Sequence, residues 1–186
     1  MKKFIALSLV LLFSVLLFSS CGKQHTVEIT VENYGVITLV LDESVAPITV
    51  KNFLKLVEDG FYDGLTFHRI IDGFMIQGGD PKGNGTGGSS EKIKGEFAAN
   101  GVKNDLSHKR GVISMARSSA YNSASSQFFI MHKDTPQLDG QYAAFGWVTS
   151  GMEVVDAICE NTPVIDNNGT VLAANQPKIT SIRVID

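Results

Sequence analysis

Few polar side chains of this 186-residue chain sit in a pattern that could do chemistry; the densest stretch is Phe67-His68-Arg69-Ile70-Ile71-Asp72-Gly73-Phe74-Met75-Ile76-Gln77-Gly78-Gly79-Asp80. Arg69 offers a rigid fork of N–H donors that stays protonated, and Gln77 offers an amide that can hold one arm of that fork. Such a pair suits electrostatic stabilisation and not proton transfer. His68 would be the obvious general base, but strand alternation turns its side chain away from that of Arg69, so it reads as structural. On the pattern alone Arg69 is first a surface ion-pair partner, and Phe74, Met75, Phe129 and Leu138 are ordinary core residues.

Other chemistries find less support. His25, His108 and His132 are scattered, with no carboxylate or thiol at metal-ligand spacing, so no metal is expected. The glycine run Gly83 to Gly88 is no phosphate-binding loop, because neither Gly-Lys-Ser/Thr nor a helix-opening pattern follows; a tight loop is expected there. Cys159, in Val154-Val155-Asp156-Ala157-Ile158-Cys159-Glu160, reads as a small buried hydrophobe.

The first twenty residues are of a different kind. Lys2 and Lys3 precede an apolar run from Phe4 to Phe18, and small Ser19 and Ser20 lead into Cys21. This is the pattern of an export signal, too short for a comfortable membrane span. Leu16, Leu17 and Cys21 resemble a bacterial lipoprotein motif, with Phe18 departing from it. The resemblance implies cleavage after residue 20, a diacylglycerol on the Cys21 thiol, and a domain held outside the cytoplasm at the cell membrane or outer membrane by that lipid in the bilayer. Removing Lys2 and Lys3 from 16 Lys plus Arg leaves 14 against 19 Asp plus Glu, a formal charge of −5. A nucleic-acid partner is therefore not expected, since such binding rests on neutralising phosphates.

The elements that must position the site follow from periodicity. After a short tether at 22–26, Val27 to Glu32 and Val36 to Leu41 alternate apolar and polar residues across Asn33-Tyr34-Gly35, predicting a hairpin. Val50, Phe53, Leu54 and Val57 share a helical face between Pro47 and Gly60, predicting a helix over 46–59. Short strands are expected at 66–70, 75–78, 112–116, 128–132, 143–148 and 178–185. A second helix is expected over 151–159, with Ser150 and Glu153 as its capping box. One domain, 27–186, accounts for all of this, and nothing in it points beyond a monomer. Many strands with two helices predict an all-β barrel or sandwich, and a closed barrel would remove exposed edges.

Phe67 to Asp80 resembles the signature of the cyclophilin-type peptidyl-prolyl isomerases, and Asn84-Gly85-Thr86-Gly87-Gly88, Gly111 to Ala116, Ser126 to Ile130 and Leu138-Asp139-Gly140 resemble that family's later motifs in order. The resemblance spans 27–186. It implies a closed eight-stranded antiparallel barrel capped by two α-helices, with a groove on its outer face. It also implies Arg69 as catalytic arginine with Gln77 beside it. Phe74, Met75, Phe129 and Leu138 become the walls of a proline pocket, with Ala116 and Gln127 as further peptide contacts. Arg117 stands where eukaryotic relatives have an Asn whose backbone binds peptide. Gln137 replaces a Trp that helps bind cyclosporin, and Tyr142 replaces a groove His. The implied partner is an X-Pro-containing unfolded or flexible polypeptide, no cofactor is needed, and the competing reading is a proline-segment-binding chaperone module without useful turnover.

Overall fold

The structure, a computed structural model, describes residues 22–186; Cys21 and the segment read as a signal lie outside the described residues. Alternation makes β1 (Gln24–Val31) and β2 (Gly35–Asp42), which pair antiparallel from Gln24↔Asp42 to Val31↔Gly35 and turn through Asn33 at φ 63°. Strand therefore begins inside the expected tether. β3 (Phe67–Ile71), β4 (Met75–Gly78), β5 (Val112–Met115), β6 (Phe128–Met131), β7 (Ala144–Ser150) and β8 (Ile179–Val184) complete one antiparallel sheet in the order β3-β4-β6-β5-β7-β2-β1-β8.

The expected closed barrel is not formed. β3 and β8 are the two ends of the sheet and share no ladder; the chain leading into each meets at the isolated bridge Thr66↔Lys178, where the Phe67 N–H donates to the Pro177 carbonyl and the Ile179 N–H to the Leu65 carbonyl, and the contact goes no further along β3. The outer edge of β3 is occupied instead by chain that follows the second helix: the Ile70 N–H donates to the Gly169 carbonyl at 2.8 Å, and the Val171 N–H to the His68 carbonyl at 3.1 Å. With that edge already satisfied, β8 has no row of free N–H and C=O groups to close on. The result is an open, curled antiparallel sheet, a half-barrel capped by helices.

Its concave face holds the main core. Val27, Ile29, Leu39, Ile113, Phe128 and Ile130 point inward from the strands. Helix α1 (Pro47–Glu58) covers them with Val50, Phe53, Leu56 and Val57, and α2 (Met152–Asn161) with Val154, Val155, Ile158 and Cys159. Phe53 is central, its ring 5.0 to 5.5 Å from those of Tyr62, Phe128 and Phe145. Deleting an aromatic side chain so enclosed costs about 3–5 kcal/mol. Among the described residues, no helix is long and apolar enough to cross a membrane.

Both helix starts differ from a simple sequence reading. The capping box expected for α2 is absent, because Ser150 is still in β7 opposite Thr38 and Gly151 caps the helix at φ 89°. A Cβ on Gly151 would lie 2.2 Å from the Val36 carbonyl oxygen, so only glycine fits where α2 crosses β2. Helix α1 has no side-chain cap of its own at Ala46. Buried Glu96 serves in its place, accepting from the backbone N–H groups of Ile48 (3.1 Å) and Thr49 (2.8 Å) and from the Thr49 hydroxyl (2.7 Å). A carboxylate there satisfies orphan donors and complements the positive end of the helix dipole.

Glu96→Ala should therefore lower unfolding free energy by about 2–4 kcal/mol, since it strands the buried backbone N–H and hydroxyl of Thr49. Urea titration would measure it, and a loss below about 0.5 kcal/mol would remove Glu96 as the cap that matters.

Candidate active site

The convex face of the same strands carries a second, smaller apolar cluster: Met75, Val112, Phe129, Met131 and Ala144, flanked by Phe74, Leu138 and Tyr142. Period-2 alternation separates the two faces along one strand, so Phe128 and Ile130 go inward while Phe129 and Met131 go outward. Register then lines up the chemistry. Arg69 lies opposite Gln77, Gln77 opposite Phe129, and Phe129 opposite Ser114, a row across four neighbouring strands.

A cavity of about 150 Å³ opens on this row. Arg69, Phe74, Met75, Gln77, Ala116, Phe129, Leu138 and Tyr142 line it, together with Arg117. Gln127 lies in an adjoining cavity of about 390 Å³ bordered by Gly85 to Ser89, which shares Gln77, Ala116 and Arg117 with the first. Gln137 is exposed on the short helical turn Pro136–Leu138 and lines neither, so of the expected groove residues it alone is not brought to a cavity wall.

The guanidinium of half-buried Arg69 is held from two sides. Its Nη1 donates to Gln77 Oε1 at 3.2 Å, its Nε to the Asn168 carbonyl at 2.8 Å, and its Nη2 to Asn168 Oδ1 at 3.2 Å. Three of the five N–H donors thereby engage oxygen, and Nη1 also reaches Met75 Sδ at 4.0 Å, a weak acceptor, which leaves one N–H of Nη2 free. Gln77 is itself oriented, because its Nε2 donates to Gln127 Oε1 (2.9 Å), whose Nε2 donates to the Gly85 and Gly87 carbonyls (3.1 and 2.8 Å). Burial lowers the Arg69 pKa from its ordinary value, while Tyr142 and Asp166 oppose that shift. Asn168 is the residue that sequence reasoning missed: it sits in an Asn-Gly turn remote from every motif and reads as loop.

The glycine run is indeed a tight loop at the groove rim. Burial pushes the Asp80 carboxyl up, but backbone N–H groups of Lys82, Gly87, Asn84 and Gly85 outweigh it and hold the pKa below its ordinary value. Asp80 thus pins the loop whose carbonyls orient Gln127.

Arg117 does not project freely. Its guanidinium carbon sits 5.1 Å from the ring centres of Phe97 and Tyr121 and 4.7 Å from that of Tyr142, and its Nε donates to the Gln141 carbonyl at 3.1 Å. This cation–π packing fixes the Tyr142 wall.

The histidines depart from their sequence reading. A β-bulge between Phe67 and Arg69 breaks alternation at His68, so His68 and Arg69 both line a further cavity, of about 540 Å³, although His68 does not reach the apolar one. Folding also supplies the partners that spacing withheld. His25 meets Glu43 at 2.8 Å, His108 meets Asp139 at 2.8 Å, and His132 lies 3.2 and 3.0 Å from Asp72 and Asp156. Their partners lie on other elements, which no local spacing can show. His108 stacks on Phe129 with ring centres 6.1 Å apart, bracing the pocket wall from behind.

Burial lowers the pKa of His68, with Arg69 adding to the shift and Asp80 opposing it; burial also lowers that of His108 against the pull of Asp139. In the unfolded chain both titrate near about 6.5. Their contribution to stability is therefore full above about pH 6.5 and is lost as pH falls toward the depressed folded values. Thermal unfolding across pH 7.5 to 5.5 should show a falling midpoint, and His68→Leu should flatten the fall. Parallel pH profiles for the two proteins would contradict a buried neutral His68.

Residues 26–184 match the profile of the family described as cyclophilin type peptidyl-prolyl cis-trans isomerase/CLD. A peptidyl-prolyl cis-trans isomerase of Helicobacter pylori is 48% identical over 128 residues, 68% of this chain and 76% of that protein. Peptidyl-prolyl cis-trans isomerase B of Bacillus subtilis is 51% identical over 108 residues, 58% of this chain and 72% of that protein. A crystal structure of a cyclophilin type peptidyl-prolyl cis-trans isomerase from Cryptosporidium parvum, in the presence of dipeptide ala-pro, has a TM-score of 0.76 and 36% identity, covering 87% of this chain and 99% of that one.

Proposed function

The chain belongs to the cyclophilin-type peptidyl-prolyl cis-trans isomerase family and is an enzyme of that class, and on that premise we propose that Arg69 catalyses rotation about X-Pro bonds by donating to the prolyl nitrogen of a twisted substrate. Amide resonance makes this rotation slow, with a barrier of about 18–20 kcal/mol. As the bond twists, the nitrogen becomes pyramidal and regains a lone pair. A donor aimed there binds the twisted state better than either planar isomer, which is catalysis by differential binding.

The observation that carries this reading is the guanidinium on the rim of the apolar cavity, braced by Gln77 and Asn168, with one Nη2 N–H free and the second Nη1 N–H held only by the weak acceptor Met75 Sδ. The prolyl ring packs against Met75, Phe129 and Leu138 with Phe74 at the mouth. Gln127 and Ala116 contact the flanking peptide in the adjoining cavity. Tyr142 forms the remaining wall, and exposed Gln137 leaves the rim without the aromatic surface a Trp would give. No step moves a proton, so turnover should lack a histidine-like titration between roughly pH 6 and 9.

Arg69→Ala should keep the fold and most peptide affinity, because the pocket walls remain, while kcat/KM falls roughly tenfold to a thousandfold, about 1.4–4 kcal/mol of transition-state stabilisation. Arg69→Lys should recover only part, since an ammonium keeps the charge but not the braced fork. NMR exchange on an Ala-Pro peptide reports turnover, and titration reports binding. Near-wild-type exchange in folded Arg69→Ala would remove the proposed catalyst, whereas equal losses of binding and turnover would make Arg69 a ligand anchor in a proline-binding chaperone.

We further propose that residues 1–20 are an export signal and that Cys21 carries the lipid, tying the domain to a bilayer outside the cytoplasm, where its clients are exported polypeptides. Strand β1 begins at Gln24, so the anchor would hold the half-barrel close to the headgroups. Cys21→Ser should abolish radiolabelled palmitate incorporation and release the protein from the membrane fraction; undiminished labelling would rule the site out.

A further inference from the structure

His132 follows β6 and stands at the back of the β3–β4 turn. Its Nδ1 accepts the Gly73 N–H at 2.9 Å, so that nitrogen carries the lone pair and Nε2 the proton. Nε2 faces Asp156 Oδ1 at 3.0 Å, and Asp156 Oδ2 takes Arg110 Nη2 at 2.7 Å. A carboxylate behind one imidazole nitrogen is the arrangement that orients metal-ligating histidines, and an ion at Nδ1 would take the lone pair from the N–H of exposed Gly73, which can turn to solvent. Asp72 Oδ1 lies 3.2 Å from that Nδ1. One ligand atom from each of Asp72, His132 and Cys159 falls within 4.8 Å of the other two.

We propose that Asp72, His132 and Cys159 form a zinc site, with water as fourth ligand and Asp156 as the second-shell carboxylate. The donor set decides the ion, since thiolate, imidazole and one carboxylate favour zinc over calcium or magnesium. Zinc–ligand lengths give a tetrahedral edge of about 3.3–3.8 Å, which the Asp72–His132 pair at 3.2 Å already approaches, so any closing falls on the sides that meet Cys159. Asp72, its side chain 77% exposed, can swing toward the thiol, and it leaves a path for the ion to enter.

Charge balances as well. Arg110 is neutralised by Asp156, which leaves the Asp72 carboxylate and a Cys159 thiolate against one divalent cation. Burial, with Asp72 and Asp156, pushes the free thiol up to about 12, so coordination replaces its S–H bond by S–Zn and releases that proton to solvent. The site would join α2 to the turn carrying Phe74, whose carbonyl accepts the His132 N–H at 2.9 Å. It stands independently of the assignment of Arg69.

The chain has two cysteines, so the test starts from full-length Cys21→Ser protein, purified with chelator and then dialysed free of it. Co2+ should bind at one ion per chain with a thiolate-to-cobalt charge-transfer band, and Zn2+ should displace it. Adding Cys159→Ser should abolish the band. Asp72→Asn, at an exposed position that cannot threaten the fold, should weaken Zn2+ binding, and Asp156→Asn should weaken it by about 10- to 100-fold. Absence of the band in Cys21→Ser protein, its survival in the Cys159→Ser variant, or unchanged affinity in both aspartate variants would each overturn the site.

Discussion

A guanidinium has five donors and long flexible arms, and left free it would spread its charge over solvent rather than aim it at one atom. In this protein Arg69 is fixed from both sides by amide oxygens, Gln77 on the neighbouring strand and Asn168 on the chain that covers the edge of β3. The Gln77 brace is not itself loose. Gln77 is set by Gln127, Gln127 by two carbonyls of the glycine loop, and that loop by the buried carboxylate of Asp80. Each amide in this series can point only one way because the next has already chosen. On the proposed mechanism, preorganisation of this kind lets the donor act without reorganising during the reaction.

The departure from a closed barrel belongs to the same design. Had β8 paired along β3, no room would remain for Gly169 to Val171 on that edge, and Asn168 could not approach the guanidinium. The open edge is thus satisfied by a segment that also holds the arginine. On the other side, alternation divides β6 between a core packed by both helices and an outward pocket wall. His108 stacks against that wall and Arg117 packs on its neighbour Tyr142.

Much of this was legible in the sequence for a physical reason: local periodicity fixes strands and helices, and both helices and every strand lie within a few residues of where alternation and 3.6-residue spacing set them. The pocket walls were not legible from pattern, since an outward Phe129 and an inward Phe128 look alike in one dimension; only the resemblance separated them. What stayed hidden came from distant segments. Glu96 caps a helix 47 residues away, Asn168 reaches back 99 residues, and His132 gathers Asp72, Asp156 and Cys159 from other elements. Ser150 misled because a good cap residue was already committed to β7, and His68 because a bulge resets alternation.

On the proposed mechanism the terminal nitrogens of Arg69, Nη2 with one N–H free and Nη1 with one held only by Met75 Sδ, donate to the prolyl nitrogen of a bound peptide. A structure of the protein with an Ala-Pro-containing peptide tests it directly. The expected result is the prolyl ring against Phe129, Met75 and Leu138, with an Arg69 terminal nitrogen about 3–4 Å from the prolyl nitrogen and the Gln77 and Asn168 braces intact. A peptide whose proline lies outside this pocket, or an Arg69 turned away from the prolyl nitrogen with its braces broken, would contradict it.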